Sequence, residues 1–244
     1  MNAGAAYRRV ILKLSGEALK GKRKYGIDPQ AVQALAAELK AAAGMGVQLG
    51  IVVGGGNIFR GIGAEAGSMT RTVADHIGML ATMINSLSLQ DALEALDVGT
   101  RVMSAIQMND VAEPYIRRKA MSHLAKGLVV IFACGTGNPY FSTDTAGALR
   151  ASEVQADVLL KATKVKGIFS EDPQKNPNAT FLRRLTYHEF LTRDLRVMDA
   201  SAIALCRENR LPVVVFDLGG GGNILRAIRG EEIGTLIQGE TDGQ

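Results

Sequence analysis

Short runs of continuous apolar residues alternate along the chain with longer segments in which apolar positions recur every three to four residues. RVILKL, Arg9 to Leu14, reads as a buried strand. Asp28-Pro29 then supplies an N-cap and a proline at the first helical position, after which Val32, Leu35, Ala36 and Leu39 fall on one face. Gly44 and Gly46 end that helix. Gln48 to Val53 reads as a second buried strand, and Thr72 to Leu96 as a long helix rich in Ala, Met and Leu. VVIFA (Val129 to Ala133), VLLK (Val158 to Lys161) and PVVVF (Pro212 to Phe216) follow as strands, with helices near Thr145 to Gln155 and Met198 to Asn209. Continuous apolar strands separated by helices predict an α/β fold of three layers, α/β/α, with a central mainly parallel sheet covered on both faces. The apolar residues of 72–96 exceed what one helix face can bury within a subunit, which predicts a subunit interface there. No internal repeat or low-complexity linker divides the chain. DPQKNPNAT, 172–180, reads as a surface loop, so residues 9–238 are expected to form a single domain between the tails 1–8 and 239–244.

Composition narrows the function classes more than the fold. At 244 residues with 47% hydrophobic residues, the chain can bury a large core. Its 28 basic against 24 acidic residues are interspersed, and a net charge of +4 suits anionic small molecules as well as nucleic acid. Aromatics make up 5%, Trp is absent, and no basic run carries interleaved aromatics, so no platform for stacking bases is expected. Cys134 and Cys206 lie inside apolar or helical runs without a CxxC and read as buried, reduced thiols. MNAGAAYRRV lacks the apolar centre of a signal peptide, and no apolar run approaches the roughly 18 residues of a membrane span. A cytoplasmic protein with no membrane partner is expected.

In open parallel sheets, ligands bind at the carboxyl ends of the strands. Four segments there join glycine or hydroxyl residues to charge: KLSGE (Lys13 to Glu17), GGGNIFRG (Gly54 to Gly61), CGTGNPYFSTD (Cys134 to Asp144) and ATKVKGIFSEDP (Ala162 to Pro173). Glycines let backbone N–H groups approach a phosphate. GEALKGKR, Gly16 to Arg23, satisfies GxxxxGK, but Arg23 stands where a P-loop needs a hydroxyl for magnesium, and the match reads as coincidental. No GxGxxG, HExxH or GxSxG occurs, no metal-ligand spacing occurs, and His76 reads as structural. Lys13, set between Leu12 and Leu14 and followed by Ser15-Gly16, is better explained as a phosphate ligand than as a surface lysine. The position of Arg60 four residues after a glycine triplet favours anion binding over a plain surface role. Asp75 fits an ion pair on the long helix as well as a ligand contact. Asp144 can be the N-cap of the following helix and an organiser of lysines together, and Phe169 can be core or a base contact. GGGGN, Gly219 to Asn223, leads no complete motif and reads as a flexible turn.

KLSGEAL, GGGNIFRG, TVADHIGMLATMIN, GTGNPYFSTDTA, DVLLKATKVKGIFSEDP and RVMDASA, in this order and spacing, resemble the bacterial uridylate kinases (UMP kinases) of the amino-acid-kinase superfamily, from about Arg8 to Gln238. The resemblance implies a homohexamer that transfers the γ-phosphoryl group of ATP to UMP, giving UDP in pyrimidine nucleotide biosynthesis, with Mg2+ accompanying ATP. It implies a UMP side over roughly 9–155 and an ATP side over roughly 156–238. By the same resemblance, Lys13, Leu14, Ser15, Gly16, Gly56 and Arg60 attend the ATP phosphates, and Thr163, Phe169 and Asp172 the adenine and ribose. Gly55 and Asp75 face UMP, and Thr136, Gly137, Asn138, Pro139, Tyr140, Phe141, Ser142 and Thr143 wrap it. Lys13, Arg60, Asp144 and Lys161 surround the transferring group. No protein ligand to the metal is implied.

The resemblance also implies activation by GTP and inhibition by UTP. Gly21, Lys22, Arg23, Lys24, Tyr25 and Gly26 form the loop the family links to activation, here unusually basic, and Arg101 is the basic residue retained after the long helix. Two other classes share some of these features. A carboxylate or carbamate kinase of the same superfamily would keep the lysine and glycine loops but not TGNPYFSTD with Arg60 and Asp75. A nucleic-acid-binding protein on this fold would fit the basic balance but lacks the aromatics.

Overall fold

The computed structural model describes residues 4–60, 68–171, 173, 176 and 178–239. Its elements run β1 (Arg9–Leu14), α1 (Pro29–Gly44), β2 (Gln48–Val53), α2 (Arg71–Glu94), β3 (Thr100–Ser104), β4 (Glu113–Pro114), α3 (Arg117–Ala125), β5 (Val129–Ala133), α4 (Thr143–Glu153) and β6 (Val158–Thr163). The hairpin strands β7 (Ile168–Phe169) and β8 (Phe181–Leu182) follow. Then come β9 (Arg184–Thr186), α5 (Tyr187–Thr192), α6 (Ala200–Glu208), β10 (Val213–Asp217), α7 (Asn223–Ile228) and β11 (Thr235–Gln238). Nine strands form one sheet in the order β4-β3-β5-β2-β1-β6-β10-β11-β9. All pairings in it are parallel except β10 with β11.

Side chains that alternate along each strand serve two separate cores. Val10, Leu12 and Leu14 of β1 pack with α1, α2 and α7, whereas Ile11 joins the cluster built with α3, α4, α5 and α6. The three-layer expectation is therefore met, with helices on both faces. Strand β1 lies between β2 and β6, and the chain builds outward from it in both directions. That arrangement makes the carboxyl end of β1 the switch point of the sheet, where a crevice opens between the connections.

Arg9–Leu14, Gln48–Val53 and Val129–Ala133 form strands with the expected bounds. The Asp28 side chain accepts from the Gln30 N–H ahead of Pro29, and α1 ends at Gly44, with Gly46 at φ +76° beyond it. Helices α2 and α6 differ from expectation by one or two residues at their ends, and three other boundaries differ for local reasons. Helix α4 starts at Thr143 because the Ser142 hydroxyl, not Asp144, caps it, accepting from the N–H groups of Asp144 and Thr145. The N-cap reading of Asp144 is thus corrected: the residue lies inside the first turn. Strand β6 runs on to Thr163 because β10 stays paired with it as far as Asp217↔Thr163. Strand β10 starts after Pro212, which has no N–H and offers only its carbonyl, to Leu159.

The residues of GGGGN make a turn into the six-residue α7, with Gly220, Gly221 and Gly222 at positive φ and the Asn223 side chain donating to the Asp217 and Gly219 carbonyls. His76 is exposed on α2. Both cysteines are free and buried, and burial pushes their thiols up, that of Cys206 to about 12. Among the described residues no helix is long and apolar enough to cross a membrane.

Candidate active site

Parallel register brings two lysines together. Lys13 of β1 stands opposite Lys161 of β6, and both occupy the pleat positions that face α4. Gly147 of α4 lies over the Lys13 stem, where an added Cβ would stand 3.6 Å from its Cβ and Cγ, so the helix sits low on β1. One turn earlier, Asp144 reaches down between the ammonium groups: Oδ1 is 2.7 Å from Lys13 Nζ, and Oδ2 accepts from Lys161 Nζ. Lys161 also donates to the Val197 carbonyl. Asp144 and Lys161 are 8% and 6% exposed, so this charge cluster is shielded from water.

Burial alone would raise the Asp144 carboxyl, but Lys13 and Lys161 outweigh it and hold the group below its ordinary range. Burial lowers the Lys161 ammonium, and Asp144 opposes that only in part because Lys13 repels it. Two cations share one carboxylate in direct contact, and Asp199 acts on Lys161 from further off.

The glycine loops answer to close approach. An added Cβ at Gly16 would stand 2.4 Å from Asn57 Oδ1 and 2.5 Å from the Gly54 carbonyl, so the turns after β1 and β2 touch backbone to backbone. Gly55 would meet the Gly78 carbonyl at 2.8 Å, which seats that loop on α2. Gly56 has open space where its Cβ would be and is exposed. Buried Asn57 and Asn85 exchange side-chain hydrogen bonds of 3.0 and 2.7 Å, and Asn85 also donates to the Gly54 carbonyl. The Ser15 hydroxyl caps a 3-10 turn over Gly16–Leu19, so these residues are coiled where a P-loop needs an open loop, and Lys22 is exposed in the loop beyond.

A cavity of about 150 Å³ is lined by Gly55, Gly56, Asp75, Thr136, Phe141, Ser142 and Thr143. The structure thus gathers Gly55, Asp75 and the two ends of the 136–143 segment around one space, and Gly56 shares it. Asp75 is held by Arg71 through a pair of 2.9 Å contacts and accepts from the Tyr140 N–H at 2.7 Å. Tyr140 has φ +72°, unusual for a bulky residue, and its ring lies 5.6 Å from the Arg71 guanidinium carbon. Gly137, Asn138 and Pro139 complete this segment, with the Thr136 hydroxyl accepting from the Asn138 N–H. The Ser142 hydroxyl also donates to Asp199, at the start of α6.

A second cavity, of about 470 Å³, lies beyond β6 and is lined by Val165, Gly167, Phe169, Ser170, Glu171, Pro173 and the 193–197 segment. Phe169 is half-buried and packs its ring against Phe181 at 5.3 Å. Thr163, at the end of β6, accepts from the Val165 N–H. Asp172 lies outside the described residues, as does Gly61. Glu17 pairs with Arg60, Lys164 and Lys20. Arg60 also donates to the Gly56 carbonyl. Glu17, Arg71, Asn85 and Asp199 were not singled out in the sequence. Their partners are 3 to 147 residues away, and only Glu17 to Lys20 and Arg71 to Asp75, at i,i+3 and i,i+4 spacing, left a local trace.

The candidate effector residues fall in two places. Residues 21–26 form an exposed loop tied to the glycine loop, because Gly26 exchanges hydrogen bonds with Asn57. Arg101 is on β3, separated from β1 by β2 and β5, and pairs with Glu94 and Glu113. Among the described residues no group of three or more His, Cys, Asp or Glu side chains could hold a metal ion. Asp144 is already neutralised by two lysines, so the described residues around the cluster do not fit a metal-ligand set.

The profile of the amino acid kinase family matches residues 8–217. The crystal structure of UMP kinase from Bacillus anthracis superposes with a TM-score of 0.93 at 40% identity, over 96% of this chain and 97% of that one. UMP kinase from Ureaplasma parvum gives a TM-score of 0.90 at 37% identity, over 95% and 98%. Uridylate kinase from Archaeoglobus fulgidus gives 0.73 at 28% identity, over 93% and 99%. With the family profile over most of its length and these relatives over nearly all of it, the chain belongs to the amino acid kinase family and, within it, groups with the bacterial UMP kinases.

Proposed function

We propose that this protein transfers the γ-phosphoryl group of ATP to UMP. A UMP phosphate oxygen attacks the γ-phosphorus, the bond to the β,γ-bridging oxygen breaks, and UDP and ADP leave. The observation that carries this reading is the Lys13, Asp144 and Lys161 cluster at the switch point of the sheet, next in sequence to Thr143 of one cavity and bonded to the Val197 carbonyl of the other. Phosphoryl transfer needs mostly alignment and charge neutralisation, and a phosphate acceptor needs no general base because it is already an anion. Lys13 and Lys161 supply fixed positive charge, Gly16 and Gly56 open the backbone to phosphate, and Arg60 attends the same group. The smaller cavity takes UMP against Gly55, Asp75 and the 136–143 segment. The larger takes the adenine and ribose beside Phe169, with Thr163 and Asp172 as their further proposed contacts. Mg2+ would arrive with the ATP phosphates and offset their charge.

An ADP-release assay across UMP, CMP, dUMP and acetylglutamate tests the assignment. A rigid hydrogen-bonding segment leaves partners unpaired against cytosine, so UMP is expected to exceed CMP by at least ~10²-fold in kcat/KM. Equal values for the two would remove the specificity claim, and turnover of acetylglutamate alone would move the protein to another branch of the family.

The reading extends to assembly and control. Val73, Leu80 and Ile84 of α2 are each about half exposed and fall in one stripe, which supports a homohexamer that buries this face. Light scattering at micromolar concentration is expected to give an oligomer, and a monomer there would overturn the interface. GTP and UTP are the proposed effectors, with the basic 21–26 loop and Arg101 as their contacts. The nucleotide substrates place the reaction in the cytoplasm, and neither nucleic acid nor membrane is a proposed partner.

A further inference from the structure

The 136–143 segment has an anchor outside the cavity it lines. Arg150, in the last turn of α4, has a side chain only 5% exposed, and its guanidinium meets three partners. Nη1 donates to Glu153 Oε2 at 2.7 Å, and Nη2 donates to the Gly135 carbonyl at 3.2 Å. The guanidinium carbon lies 3.8 Å from the centre of the Tyr115 ring. The Tyr115 hydroxyl donates to the same Glu153 oxygen at 2.6 Å, and its ring meets Phe132 of β5 edge-on at 5.7 Å. Burial, followed by the bond to Glu153, pushes the Tyr115 hydroxyl well above its ordinary value, so it stays a donor across the working pH range.

A buried guanidinium is costly to desolvate and is offset only where its partners are fixed. Two of its partners, Glu153 and Tyr115, could be a simple staple between α4 and the chain before α3. The third points elsewhere. Gly135 belongs to no strand or helix, and its carbonyl sits where the chain leaves β5 through two successive left-handed residues, Cys134 at φ +61° and Gly135 at φ +59°. The Gly137 N–H closes this pivot on the Cys134 carbonyl at 2.9 Å. A non-glycine residue in that region is strained and persists because its surroundings hold it. We propose that Arg150 is the positioning residue of the acceptor site: by holding the Gly135 carbonyl against the Tyr115 and Glu153 pair, it aims residues 136–143 at Asp75 across the cavity. Arg150 touches no substrate in this scheme, and it acts on the acceptor nucleotide but not on ATP. The inference rests on reading 136–143 as the acceptor segment.

Arg150→Lys keeps the charge and can reach Glu153. An ammonium cannot lie flat on Tyr115 while also donating to Gly135, because both contacts need the planar fork. Amide hydrogen exchange without nucleotide is expected to quicken by about 10-fold or more across 135–141 and to stay unchanged across 163–171. In steady state, KM for UMP is expected to rise at least ~10-fold while KM for ATP moves by less than about twofold. Unchanged exchange across 135–141 would overturn the anchoring. An equal rise in both KM values would reduce Arg150 to a general fold contact. Tyr115→Phe removes only the hydroxyl bond to Glu153 and keeps the stack. It should give the same pattern at about threefold, so the test survives if Arg150→Lys fails to fold. If the unaltered enzyme does not turn over UMP, the acceptor reading itself falls, and the exchange data alone decide whether Arg150 anchors the pivot.

Discussion

Lys13→Ala is expected to lower kcat by at least ~10²-fold with little change in KM for either nucleotide, while Lys22→Ala leaves basal turnover within about twofold. Lys13 is the penultimate residue of β1, its stem lies under Gly147, and its ammonium is fixed 2.7 Å from Asp144. A charge held in place before the reaction needs no reorganisation when negative charge shifts towards the leaving oxygen, so its removal falls on the transition state more than on bound ATP. A loss of 10²-fold corresponds to about 2.7 kcal/mol, in keeping with one preorganised group. Lys22 belongs to the only GxxxxGK match in the sequence and would be indispensable in a P-loop. Here it is exposed in a loop beyond the 3-10 turn. Steady-state kinetics with both substrates varied, and folding checked by circular dichroism, separates the two. Loss of turnover in Lys22→Ala with retention in Lys13→Ala would make the site a P-loop and end the uridylate kinase assignment.

Asp144→Asn is expected to be damaging in a different way. The carboxylate separates two ammonium groups in a shielded site, and its removal leaves like charges facing each other without compensation. Breaking a buried pair of this kind costs about 3–5 kcal/mol, which for a chain of this length lowers Tm by about 10 °C. Activity should fall by ~10²-fold or more because the lysines no longer hold their spacing.

The pH dependence gives the variant a signature. Lys161 is a base whose folded value burial has lowered, so its charged form weighs against folding, and that penalty lifts as pH rises through the folded value towards ~10.4. Asp144→Asn should therefore regain stability on the alkaline side relative to pH 7. In the unaltered protein, Asp144 has a lowered folded value. Its contribution is present above ~3.9 and is lost only as pH falls through that lower folded value. Thermal unfolding followed between pH 3 and 10 measures both effects. An Asp144→Asn protein with unchanged Tm at pH 7 would show that the carboxylate does not hold the cluster.

Much of the architecture was legible in the pattern of residues. RVILKL, QLGIVV and VVIFA are apolar on both sides of the pleat, which only a strand covered on both faces requires, and Asp28-Pro29 fixes the start of α1 through its own backbone chemistry. The motif segments were legible because strand ends joined to glycine, hydroxyl and charge are local features. TRVMS at β3 was missed because Arg101 interrupts its apolar run. The short β9, α5 and α7 were missed because three to six residues carry too little periodicity to stand out.

What the sequence by itself determined is the set of layers and the order of candidate loops, since both follow from burial and backbone geometry within a few residues. What only the tertiary structure decided is which charges meet. Lys13 and Lys161 are 148 residues apart, and a shift of one residue in the β1 to β6 register would turn one of them to the opposite face. Asp144 read in sequence as a cap and an organiser of lysines together, and only the fold shows that Ser142 takes the cap and that Gly147 lets α4 lie low over Lys13. Arg150 reads in sequence as one more basic residue on a helix, and its hold on Gly135 exists only where α4 packs beside the end of β5. Burial and periodicity are properties of a short window. Coulomb and hydrogen-bond partners depend on distances that packing alone sets.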